Sequence, residues 1–192
     1  MAEISEKELE DYLFALKTGK NPLEIYGKCF RQVNLDGYGI IDLLYVEIEP
    51  SYSPNKHEQY PDVTITIVEL KKGLIDFTAL GQLCRYKRGV ERFLSIREKQ
   101  RWSTYENIKV KGILIGKDYA SGDICFAIDQ IKWVKCWHFD FNLKNGISFE
   151  ESSGWINTDE NFKSLERLKE SFFPKYIRSF KKARKEDWSK IL

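Results

Sequence analysis

The sequence predicts an α/β fold, a central mixed β-sheet flanked by helices, in one domain over residues 1–192. Three observations carry this. Residues 40–48 and 63–71 are β-rich apolar runs separated by a stretch holding Pro50, Pro54, Asn55 and Pro61, which reads as an antiparallel hairpin. Residues near 76–88 place Ala79, Leu83 and Tyr86 on one helical face, with Leu80 and Cys84 beside them. Residues 109–116 then form a buried strand. After a helical connection, such a strand lies parallel to the one before it.

Composition narrows the function classes. At 192 residues, 42% of them hydrophobic and 31% charged, the chain supports a substantial core. The first eleven residues hold six charged side chains and no apolar stretch, so no signal-like start is present. Apolar runs fall far short of a membrane span. Four cysteines without CxxC spacing and only two histidines argue against structural zinc or a disulfide framework, and reduced thiols in a cytoplasm are expected. A net charge of +2 is too small to argue nucleic-acid binding by itself.

Taken in order, Ser5 to Glu8 is a capping box opening a helix with Leu9, Leu13 and Leu16 on one face, ended by Gly19, Asn21 and Pro22. Extending that stripe back by three reaches Glu6. It is either a first-turn carboxylate facing the helix dipole or a member of an acidic site. Lys28 to Val33 is a first strand, on which Arg31 either is solvated or reaches a phosphate. Asp36-Gly37-Tyr38-Gly39 is turn chemistry leading into the Asp42 strand.

The hairpin carries the chemistry. Centred between Asn55 and Lys56, it pairs Leu44 with Ile67, Val46 with Ile65 and Ile48 with Val63, and it sets Asp42 opposite Glu69 on the same face. Opposed residues have Cβ atoms only ~5 Å apart, and two carboxylates that close require a proton or a cation between them. A hard divalent ion with oxygen ligands, Mg²⁺ or Mn²⁺, meets that need. Lys71 follows Glu69 on the same face. The competing reading is a structural ion pair at a strand end, but two acids against one base leave it short of a cation. Asp62 lies seven residues before Glu69 on one strand, ~23 Å away and with the wrong parity, so Asp42 is the better ligand.

Gly39-Ile40-Ile41-Asp42, Glu69-Leu70-Lys71 and Gln82-Leu83-Cys84-Arg85-Tyr86 together resemble the PD-(D/E)XK, restriction-endonuclease-like nucleases. The likeness is closest to the RecB-like catalytic domain of the archaeal-type mismatch and single-strand endonucleases. It covers residues 5–116, leaving 117–192 as a C-terminal extension. The resemblance implies a restriction-endonuclease-like fold and a Mg²⁺-dependent deoxyribonuclease, an endonuclease or exonuclease of DNA repair, recombination or defence. It implies Asp42, Glu69 and the Leu70 carbonyl as metal ligands, with Lys71, Gln82 and Glu6 completing the catalytic set. Gln82 and Tyr86 form an i, i+4 pair able to look the same way. Arg31, Lys72, Arg85, Tyr86 and Arg88 are the expected nucleic-acid contacts, since basic residues beside the metal suit a phosphate backbone. The partner is then DNA, with no membrane, and a homodimer or larger assembly is compatible. The rival reading is a non-catalytic nucleic-acid-binding module or subunit that keeps the nuclease fold.

Beyond residue 116 the signals weaken. Residues 121–132 read as a helix, and Trp137, Phe139 and Phe141 as the inner face of a strand. On that strand His138, Asp140 and Asn142 face water rather than a second metal. Asn157 or Thr158 caps a helix running to about Phe173, which Pro174 ends. Residues 172–192 hold seven Lys or Arg against two acids. That tail is expected either to pack on the core or to lie along a phosphate backbone.

Overall fold

The computed structural model describes residues 3–16, 21–49, 62–98 and 108–152. Helix α1 (Glu6–Ala15) is followed by β1 (Lys28–Asn34), a 3-10 turn (Asp36–Tyr38), β2 (Ile40–Glu49), β3 (Asp62–Leu70) and β4 (Leu74–Ile75). Then come α2 (Phe77–Glu98), β5 (Ile108–Gly116), β6 (Asp118–Tyr119), α3 (Gly122–Asp129), β7 (Val134–Asn142) and β8 (Gly146–Glu151). Six strands form one sheet in the order β1-β2-β3-β5-β7-β8, and β4 and β6 form a separate pair. The outer pairings are antiparallel, while β3–β5 and β5–β7 are parallel. The expected α/β class and mixed sheet are therefore present. No described helix is long and apolar enough to cross a membrane.

Two cores sandwich the sheet. On one face Leu9 and Leu13 of α1 pack against Leu43, Val68, Leu70 and Ile115. On the other, Leu83 and Val90 of α2 and Ile124 of α3 cover Leu44, Ile65, Ile67 and Leu114. Helix α1 starts where the sequence places it: the Ser5 hydroxyl accepts from the Glu8 N–H, and the Glu8 carboxylate accepts from the Ser5 N–H.

The hairpin register is the one the apolar pattern requires, with Leu44↔Ile67, Val46↔Ile65 and Ile48↔Val63. The parallel partnership of β3 with β5 also holds. Helix α2 continues past the expected stop at Arg88 to Glu98. Gly89 is a close-approach residue there, since a Cβ on it would lie 2.9 Å from Tyr38 Cγ. Strands β4, β6 and β8 had no counterpart in the sequence reading. His138 is half-buried beside Tyr119, their rings 4.9 Å apart and edge-on, rather than facing water. The expected helix over 157–173 and the basic tail lie outside the described residues.

Candidate active site

The site forms where β3 ends. Strand alternation sends Ile65 and Ile67 into the α2-side core and brings Glu69 to the same face at the carboxyl end of the strand. Glu69 is 2% exposed. Its Oε1 accepts from Lys71 Nζ at 2.7 Å, while its Oε2 is buried without a hydrogen-bond partner. Buried polar atoms without partners are uncommon in native proteins, and each calls for a bound ion, a water, strain or a catalytic role to explain it.

Asp42 approaches from β2. The β2–β3 ladder runs as far as Leu43↔Val68, so the expected pair of Asp42 with Glu69 is not a ladder pair. Instead Asp42 Oδ2 accepts from the Leu70 N–H at 2.9 Å. In a strand, the N–H and C=O of one residue point the same way, so the Leu70 carbonyl is directed to the Asp42 side. The expected sharing of a strand face by Asp42 and Leu44 also needs correction. Ile41 belongs to the same core as Leu44, so the alternation of β2 breaks at Asp42.

Electrostatics bind these groups into one site. Burial, and then the neighbouring Asp42 charge, push the Glu69 carboxyl up to about 7, against the pull of Lys71. Burial also raises Asp42, opposed by the Leu70 N–H and Lys71 and reinforced by Glu10 and Glu6. For Lys71, burial works against the ammonium, but the bond to Glu69 and the charges of Glu69, Glu6 and Asp42 hold it above its usual value. Both carboxyls resist ionisation in this setting, as two acids short of a cation do.

Glu6 stands beside the same group. Its Oε1 accepts from the Lys72 N–H at 3.1 Å, tying the exposed first turn of α1 to the segment after β3. Gln82 is half-buried on α2, and its Oε1 has no hydrogen-bond partner. Tyr86, one turn further on, is buried under Gly39, whose φ of +106° and lack of a side chain admit the ring: a Cβ there would sit 2.8 Å from Tyr86 Cε1. Burial, and then the Glu69 and Asp42 charges, push its phenol up to about 12. Tyr86, expected as a nucleic-acid contact, is thus buried and meets the site from the α2 side. Lys72, Arg85 and Arg88 are exposed.

Arg31 needs a correction too. Its Nε meets Glu10 Oε1 at 2.7 Å and its Nη2 meets Asp11 Oδ1 at 2.6 Å, so it fastens α1 to β1 instead of standing free for a phosphate. Glu10 is the residue the sequence reading missed. It is 6% exposed and also accepts from Gln32 Nε2 at 2.7 Å. Its signal was its place four residues after Glu6, beside the Leu9–Leu13 stripe.

Among the described residues, no three His, Cys, Asp or Glu side chains converge as a closed metal-binding group. Magnesium does not need one. It is commonly held by one or two carboxylates, with waters and substrate phosphates filling the other positions. The orphaned Glu69 Oε2, Asp42 and the Leu70 carbonyl fit that donor set. Two surface concavities, of about 480 and 440 Å³, lie elsewhere, one lined by Phe14, Asn21 and Tyr45 and the other by Tyr119, Asp129 and Cys136. The sequence matches no protein-family model, no curated protein and no solved structure.

Proposed function

We propose that this protein is a metal-dependent nuclease of the restriction-endonuclease-like type that hydrolyses phosphodiester bonds in DNA. One observation carries the reading above the others: a buried glutamate with an unpartnered oxygen, beside a second carboxylate and a lysine at the end of a parallel strand. Stability alone would favour closing that arrangement with a second base or removing one acid. Magnesium or manganese, when bound, would offset the two negative charges, polarise a phosphate oxygen and acidify a water.

The chain's own groups supply the rest. Asp42 and Glu69 would hold the cation, with the Leu70 carbonyl alongside. Lys71, charged and anchored on Glu69, is placed to steady negative charge developing on the phosphate. Gln82 offers an amide with an unpaired oxygen to orient a water. Lys72, Arg85 and Arg88 are each exposed and basic, suited to contacts with a phosphate backbone that would position a strand without reading its sequence. Repair, recombination and defence all employ such a reaction.

The test is cleavage of single-stranded, nicked, branched and duplex DNA with Mg²⁺ or Mn²⁺, using Glu69→Gln as the control. Metal-dependent products from the wild type alone support the reading. DNA binding without cleavage of any substrate would favour the alternative, a nucleic-acid-binding subunit.

A further inference from the structure

The β1–β2 ladder is interrupted at one pair. Arg31↔Leu43 and Val33↔Ile41 are both in register, and Gln32 with Asp42 between them is skipped. No residue is inserted, because pairing resumes unchanged at Asn34↔Ile40. Gln32 has a φ of +50°, a left-handed conformation that non-glycine residues seldom adopt. The faces switch across the gap. Phe30 and Leu44 pack on the α2 side and Cys29 and Leu43 on the α1 side, yet Val33 and Ile41 are back on the α2 side. Unbroken alternation would have sent Val33 and Ile41 to the α1 side. Both strands therefore turn over at Asp42.

Glu10 meets this kink from α1. Neighbouring strand residues ordinarily point to opposite faces. Here Arg31 and Gln32 both reach one buried carboxylate on α1, Arg31 Nε at Oε1 and Gln32 Nε2 at Oε2, each at 2.7 Å. Strained backbone persists only where its surroundings over-determine it, and it gathers at functional sites. We propose that the left-handed backbone of Gln32 is a positioning device that keeps the ladder open at Asp42, so that its carboxylate turns onto the Leu70 N–H and is held there as a fixed ligand. In a closed ladder Asp42 would share the face of Leu44, opposite Glu69, but with its carboxylate off the Leu70 N–H and its backbone tied to Gln32. This inference rests on the reading of Asp42 as a metal ligand.

Calorimetric titration of the full chain with Mn²⁺ tests it, comparing the wild type with Gln32→Gly and Gln32→Val. Glycine adopts the left-handed conformation without strain, whereas β-branched valine resists it and favours a closed ladder. Gln32→Gly should bind within roughly twofold of the wild type. Gln32→Val should bind ~10-fold or more weakly, as when a group supporting a metal ligand is lost, although both variants lose the same hydrogen bond to Glu10. Gln32→Thr, also β-branched, provides the same comparison if the valine variant does not fold. Wild-type affinity in Gln32→Val, or equal losses in the glycine and valine variants, overturns the kink's role alone. Absence of Mn²⁺ binding by the wild type overturns the site reading, and this inference with it.

Discussion

Glu10 and Glu69 lie on opposite faces of one sheet, are 6% and 2% exposed, and each meets a basic side chain at 2.7 Å. Their situations are nonetheless opposite. Both Glu10 oxygens are used, one by Arg31 and one by Gln32. Glu69 has an oxygen left over and a second carboxylate for a neighbour. Burial of a charged group is thus a poor marker of a site. Incomplete satisfaction of a buried group is a better one, because the satisfied glutamate stabilises the fold while the unsatisfied one retains capacity to bind.

The contrast is sharpest as a pair of substitutions with opposite signs. Glu10→Ala should lower the midpoint of urea denaturation, because it removes the acceptor that Arg31 and Gln32 share and leaves Arg31 with Asp11 alone. Glu69→Gln should raise stability in the absence of divalent ions, by removing repulsion with Asp42, yet lower metal-dependent cleavage by ~10³-fold. Destabilisation of similar size by both would erase the distinction.

Lys71 separates neutralisation from catalysis within the same site. Lys71→Ala should retain DNA and Mn²⁺ binding while single-turnover cleavage falls by ~10²-fold. Near wild-type cleavage at saturating Mg²⁺ would reduce the lysine to a counter-charge.

A pH dependence follows from Glu69. Its folded-state value of about 7 lies above the ordinary 4.5, so between these values the folded protein binds more protons than the unfolded chain. Stability in chelator should therefore fall as pH rises through that window, by an amount on the order of 3 kcal/mol. Glu69→Gln should flatten the slope. A wild type that instead gains stability over the same window would mean that Lys71 fully compensates the charge.

The smallest effect is expected at the far edge of the sheet. Lys135 and Glu151 pair at 2.7 Å with side chains 62% and 41% exposed. Lys135→Ala should cost less than about 1 kcal/mol, a surface value against which the buried pairs can be compared.

Much of this was legible in the residues because apolar pattern fixes register. A slip of one residue in the hairpin would have turned Leu44, Val46, Ile65 and Ile67 away from the core, so their pairing could be read directly. The same logic failed at Asp42, where a left-handed Gln32 overturns the alternation, and nothing in a glutamine announces that conformation. Helix α2 was read only as far as Arg88, whereas it runs through Gly89, a position set by the approach of Tyr38, distant in sequence. Strand β8, Gly146–Glu151, is short and lies at an edge with mostly exposed residues, so it leaves little pattern. Glu10 was overlooked because its partners, Arg31 and Gln32, are brought to it only by the fold.

The central claim is that Asp42 and Glu69 share a divalent ion. Calorimetric titration with Mn²⁺ of the wild type, Asp42→Asn and Asp62→Asn tests it most directly. Asp62 begins the strand that Glu69 nearly ends, so the two are far apart despite sharing β3. The account predicts wild-type binding that Asp42→Asn weakens severely and Asp62→Asn leaves nearly intact. Loss of binding in Asp62→Asn with binding preserved in Asp42→Asn would contradict it.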